Sequence, residues 1–305
     1  MKTLRLRLAV LLAPLMTLAI VLAGCGGDTG KKGGEKGSTS SSDGGNKDKT
    51  GSTAKKAIEG KGHGTLKGQV VYDGVPPDTA DADKAILAKM EAKDKTHCVT
   101  GATPAEKASY EWIVHPQTKG VKNVMVWLAP GDNAYFKLSD GDKKPARDKV
   151  LIHQPHCAFI PHVDVAFTHF YDGTKFVPTG QKIAFKNDAD TAHNTNYRFT
   201  KSSGGTNLLL NPGDELIAEV KRPDEITLSC EIHPWMRAYI RAFDHPFAAV
   251  TDENGNYEIK NVPTGVQVQL VVWHEPDVYS EGGTKGKTVT LKDGENTENI
   301  KIKAE

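Results

Sequence analysis

The sequence predicts an all-β protein made of two β-sandwiches. Three observations carry that expectation. First, ten short segments alternate or run apolar: "TLKGQVVY", "VKNVMVWL", "QKIAFKN", "ELIAEV", "EITLSC", "AYIRAF", "NYEIKNV", "VQVQLVVW", "KTVTL" and "ENIKIK". Second, the stretches between them are turn chemistry: "DG", "NPGD", "TDENGN" and "KDGEN". Gly there tolerates positive φ, Pro fixes φ, and Asn and Asp bond back to their own backbone. Third, one stretch alone reads as a helix, Asp81 to Lys93, with Ile86, Leu87 and Met90 at helical spacing. Strands spaced this closely close into sandwiches or barrels.

The first sixty or so residues are a separate matter. Lys2, Arg5 and Arg7 precede an apolar run from Leu8 to Leu22, and "LAGC" ends at Cys25. Charged, apolar and small-residue regions in that order form a secretory signal. The pattern resembles a bacterial lipoprotein signal, which implies removal of residues 1–24 and a lipid on Cys25. The other reading is an uncleaved anchor, against which the run is short of the roughly 20 residues a spanning helix needs. Residues 25–63 are mainly Gly, Ser, Lys, Asp and Thr, too polar to offset their own ordering entropy, and are expected to be a disordered tether. The protein is then extracytoplasmic, lipid-anchored on the periplasmic side of a bacterial membrane.

Charge excludes one class of partner. Lys and Arg total 39 against 38 Asp and Glu, a net +1, so no strongly basic surface for nucleic acid is expected. No Gly-rich phosphate loop joins a strand to a helix, no nucleophile elbow is present, and no carboxylate pair stands out as acid and base. On these grounds the chain is expected not to be an enzyme.

The C-terminal stretch "AAVTDENGNYEIKNVPTGVQVQLVVW" resembles the carboxypeptidase regulatory-like (transthyretin-like) β-sandwich. Two strands usual at the start of that module appear much earlier, in "GTLKGQVVYDG" and "GVKNVMVWL". The resemblance therefore implies a discontinuous sandwich, residues 64–130 and 246–304, with residues 147–245 as an inserted domain.

The insert carries the chemistry. Ile226, Leu228 and Cys230 alternate with Thr227 and Ser229, so on a strand all three face the core. His233 and Met236 follow at steps of three, with Pro234 stiffening the loop. Thiolate and thioether suit Cu(I), and imidazole suits both copper oxidation states. Two His and one Cys with a weak axial Met is the blue-copper set. Zinc is the other metal for two His and a Cys, but it prefers a carboxylate, water or second thiolate to Met. The missing His lies upstream, at His193 in "FKNDADTAHNTNYRF".

Those residues resemble a cupredoxin of the plastocyanin and amicyanin kind, over 180–243 and reaching back towards Val150. The resemblance implies a Greek-key sandwich binding one type 1 copper through His193, Cys230, His233 and Met236. It also implies single-electron transfer between redox partner proteins. Asn194 is expected to brace the ligand loop, and the hydrogen bonds to the Cys sulfur and the axial Met tune the potential. His233 is expected to be partly exposed, forming the electron's exit and a docking patch with Pro234 and Trp235. For Trp235, a plug between the two sandwiches is the alternative. Two other functions stay open: an extracytoplasmic copper carrier or sensor, and a metal-free scaffold or adhesion protein with no use for Cys230.

Three cysteines follow the anchor, and in an oxidising compartment two can pair. Cys230 is the odd one, which leaves Cys98 with Cys157, although connectivity does not follow from sequence alone. Such a bond is expected to staple the insert to the outer sandwich, and its reduction to lower stability while sparing copper. "HQPHCAFIPH" also holds His153, His156 and His162, but its prolines break any regular ligand spacing. His245 and His274 are aromatic-flanked and read as packing residues; a second metal site joining them with His162 is the alternative.

Overall fold

A computed structural model describes residues 54–304. The signal, Cys25 and most of the expected tether lie outside the described residues. Among the described residues no helix is long and apolar enough to cross a membrane. The fold is all-β, with one long helix.

Two sheets combine strands from both ends of the chain. In one, Met125–Ala129 lies between Ala248–Val250 and Gln267–His274, and the last of these also pairs with Lys287–Thr290. In the other, Gly62–Tyr72 pairs antiparallel with Asn256–Thr264 and parallel with Gly294–Thr297 and Ile300–Ile302. Leu66, Val70, Val126, Leu128, Ile259, Leu270 and Val272 fill the space between them. The "TDENGN" turn is held by the Asp252 carboxylate, which accepts from the N–H groups of Asn254 and Asn256. Gly255 takes φ +77° there, and a Cβ on it would meet the Val70 carbonyl at 2.4 Å, so only glycine fits.

Residues 149–243 form a second pair of sheets. One runs Gly205–Leu210, His193–Phe199, Asp224–Ser229, Arg237–Phe243 and Val163–Phe167; the other runs Glu215–Ile217, Lys182–Asn187 and Lys149–Gln154. Val150, Ile152, Ile183, Phe185, Tyr197, Ile226, Leu228 and Ile240 form the core between them.

Period-2 alternation explains how the two pairs meet. Val126, Leu128, Leu270 and Val272 point into the first core, while Met125, Trp127, Val271 and Trp273 point the other way, onto Val163 and Phe243. Both faces of these strands are buried, which is why they read as unbroken apolar runs. Trp127 lies 5.7 Å from the Phe243 ring, with the Arg241 guanidinium 4.3 Å over its face.

Three expectations need correction. The tether does not extend to residue 63: Lys56–Ile58 pairs parallel with Ala134–Phe136, and Gly62 already belongs to a strand. The helix, α1, spans Ala80–Cys98, longer than 81–93, with a non-helical residue at Asp94 (φ −161°, ψ 68°). Moreover, α1 lies within the 64–130 segment but contributes no residue to the core of those strands. Its buried residues, Met90 and Cys98, belong to the second core, because a helix with a single narrow apolar contact goes wherever that contact can be buried.

Candidate metal centre

The strand Asp224–Ser229 delivers Cys230 to the edge of the second core. Alternation holds: Ile226, Leu228 and Cys230 are buried, and Thr227 is exposed. The chain then turns back tightly. The Met236 N–H donates to the His233 carbonyl at 2.9 Å, and the Cys230 N–H donates to the Met236 carbonyl at 3.3 Å. Met236 is buried in the same core. His193 opens the neighbouring strand, whose pairing runs Asn196 opposite Ser229, and this brings it over the loop.

The three residues converge. The ligand atoms of His193, Cys230 and His233 all lie within 4.8 Å of one another, and all three side chains are buried. The His193 and His233 Nδ1 atoms approach to 3.0 Å, and the Cys230 Sγ lies 3.9 Å from His233 Nδ1. Burial, then the neighbouring His233, push His193 down to about 4, and burial pushes His233 down as well. Burial also pushes the Cys230 thiol up, opposed by the backbone N–H groups of His233, Asn194 and Ile232. Both imidazoles are thus held neutral, the form in which they ligate a metal. Their Nε2 atoms are buried without partners. Two neutral imidazoles and one thiol facing one point, with a thioether in the same loop, fit copper better than zinc.

Asn194 spans the site's rim. Its Oδ1 accepts from the Glu231 N–H at 2.5 Å, and its side-chain amide donates to Asn207. It therefore ties the His193 strand to the Cys230–Met236 loop.

The docking expectation changes. His233 is only 1 % exposed, not partly open. Lys93, Asp94 and His97 of α1 bear electrostatically on it, and Cys98 at the helix end is adjacent. His97 binds Asp190 at 2.6 Å, fastening α1 to the turn before His193. Pro234 is exposed, but Trp235 is half-buried against the second core. Its indole N–H donates to the Cys157 carbonyl at 3.1 Å, and its ring lies 5.2 Å from His233. Trp235 is therefore neither an open patch nor a plug between the two pairs of sheets.

Cys98 and Cys157 are joined by a disulfide, and Cys230 is the free cysteine among the described residues. The bond does not staple the insert to the outer sheets; it fastens α1 to the insert's own core. Nor is it remote from the ligands, since the Cys98 and Cys157 sulfurs lie within 4.8 Å of a His233 ring nitrogen. The disulfide thus lies beside one of the expected copper residues and not apart from them. Nothing in the sequence signals it, because the contact depends on where α1 docks.

The remaining histidines each have a partner. His153 meets Asp188 at 3.0 Å and His156 meets the buried Glu106 at 2.8 Å. His162 bonds the Arg237 carbonyl at 2.8 Å and Glu275 through its other nitrogen. Phe136, Phe243 and Phe247 surround His245, and His274 stacks on Trp112. Among the described residues the two His/Cys/carboxylate groups close enough to share an ion are His193–Cys230–His233 and Cys98–Cys157–His233. Neither includes His162, His245 or His274.

No protein-family model matches the chain, and no curated protein does. Solved structures do. A Cu-containing nitrite reductase from Thermus scotoductus SA-01 matches at 17% identity and TM-score 0.25, over 31% of this chain and 22% of its own. A purple cupredoxin from Nitrosopumilus maritimus matches at 13% identity and TM-score 0.24, over 32% of this chain and 100% of its own. The chain thus spans about a fifth of the reductase and the whole of the cupredoxin. Each likeness covers about a third of this chain. One expectation is corrected here: the chain was expected not to be an enzyme, and the nitrite reductase among the similar structures is an enzyme.

Proposed function

We propose that the chain is a type 1 copper protein that carries single electrons between extracytoplasmic redox partner proteins. The observation behind this is the convergence of His193, Cys230 and His233 within 4.8 Å, all buried, from a strand start and one tight loop. Bound copper would supply a one-electron couple at that point. His193 and His233 would hold it as neutral imidazoles, Cys230 as thiolate, and Met236 as the weak fourth ligand. Asn194 would keep the loop in register, so that the ligands need not move when the charge changes.

The rest of the reading frames this centre. Residues 64–130 and 246–304 would form a regulatory-like sandwich that carries the copper domain, residues 147–245. A lipid on Cys25 would hold both at the periplasmic side of a membrane, with residues beyond it as the tether.

A visible spectrum tests the copper reading. The full chain with its disulfide intact, given one equivalent of Cu(II), should show an intense blue or purple thiolate band. Cys230→Ser should abolish it. A colourless, folded protein with Cys230 as a free thiol would overturn the proposal.

A further inference from the structure

His233 belongs to two ligand sets. One is His193–Cys230–His233; the other is Cys98–Cys157–His233, also buried throughout and also within 4.8 Å. In the folded chain the second set is closed, because its two sulfurs are bonded to each other. A disulfide sulfur has no charge to offer a metal; the ligand is the thiolate. Before the bond forms, the same three residues are two thiols and an imidazole around one point, next to a third thiol at Cys230. His233 also keeps a ring nitrogen with no partner: Nδ1 faces His193 and Cys230, while Nε2 is buried and bonds nothing.

We propose that Cys98, Cys157 and His233 form a second metal site, open only in the dithiol form, which takes a soft thiophilic ion such as Cu(I) and competes with the His193–Cys230 set for His233. Closing the disulfide removes this competitor. Two thiols lose two electrons and two protons to an acceptor disulfide, which leaves as a dithiol, and His233 is then free to serve the other set alone. The bond acts as a selector between two metal-binding states as well as a fastener of α1. The competition rests on the copper reading above; the dithiol site itself does not.

Three local features support the assignment. Cys157 is positioned by its neighbour in the ligand loop, since the Trp235 indole donates to its carbonyl. Cys98 ends α1, whose neighbouring His97 meets Asp190 in the turn before His193. The surroundings are apolar, which favours a thiolate-rich Cu(I) centre over a hydrated hard ion.

The test uses the full chain carrying Cys230→Ser, prepared once with the disulfide closed and once kept anaerobically in reductant. Cu(I) is the probe, titrated against a chromogenic Cu(I) chelator. The reduced protein should capture Cu(I) with a near-ultraviolet thiolate band, and the oxidised protein should not. Adding His233→Ala should weaken capture by roughly tenfold or more, the scale on which metal sites respond to lost support. Equal capture by both forms, or indifference to His233, would overturn the proposal. Should the reduced variant lose its fold, as its circular dichroism would report, the comparison moves to the natural sequence. There the reduced form should bind one ion at a time, and simultaneous binding at both sets would overturn the competition. The blue band of the oxidised natural protein is read separately, so its absence would count against the copper reading alone.

Discussion

Removing the disulfide should cost a calculable amount and in a particular place. The perturbation is Cys98→Ala together with Cys157→Ala. The two cysteines are 59 residues apart, and closing a loop of that length restricts the unfolded chain by about 4 kcal/mol at 25 °C in the chain-entropy account. The loss need not appear as global unfolding. Besides Cys98, α1 buries only Met90, and one buried Met contributes about 1.5–3 kcal/mol. The His97–Asp190 pair is half-exposed and adds little. Without the clamp, then, α1 can lift before the sheets melt. Urea unfolding and amide exchange should be run together. The midpoint should fall, and protection across Ala80–Cys98 should fall further than in the strands Lys182–Asn187 and Asp224–Ser229. A double variant whose stability and α1 protection both match the natural chain would refute the reasoning, since neither loop closure nor the helix's thin contact would then matter.

Other expectations follow from single residues. His245 and His274 are both pushed down to about 4, chiefly by burial. Unfolded, each titrates near 6.5, so between those values the unfolded chain binds protons the native one refuses. Stability of the metal-free protein should be full above pH 6.5 and fall as pH drops towards 4, by on the order of 3 kcal/mol per histidine; a urea midpoint flat over that window would contradict it. Trp127→Ala empties the contact with Phe243 and Arg241 and should cost about 3–5 kcal/mol. Calorimetry should show the loss, with one endotherm separating into two. Asn194→Ala removes the bond to the Glu231 N–H and should cost about 1–2 kcal/mol. If copper is bound, it should also weaken metal affinity by roughly 10–100-fold in a chelator competition.

The strands were legible because their signal is local. "EITLSC" shows its phase within six residues, and the ligand loop follows at fixed steps, so Cys230, His233 and Met236 could be named from spacing. Met125–Ala129 was legible as a strand within "VKNVMVWL", while the burial of both its faces emerges only from the structure. What could not be seen depends on docking. α1 buries two residues and carries no strong stripe, so nothing in its pattern says that it covers His233. The contact that joins α1 to the turn before His193 spans distant positions, His97 to Asp190, as do the His156–Glu106 and His162–Glu275 contacts elsewhere in the fold. Counting cysteines identified the pair, but the sequence has no term for a disulfide lying against His233.

The pairing of Gly62–Tyr72 with Asn256–Thr264 has a consequence in time. A chain made from its N-terminus exposes the first of these strands long before the second exists; Gln69 must wait for Asn254, 185 positions later. Until then its edges are open to any other strand nearby, a standing invitation to aggregate. Residues 149–243 have their partners within reach and can close first, bringing the distant ends together and shortening the span still to be searched. Damage to residues 149–243 would then show itself elsewhere, as slow maturation and proteolysis of strands in the other pair of sheets.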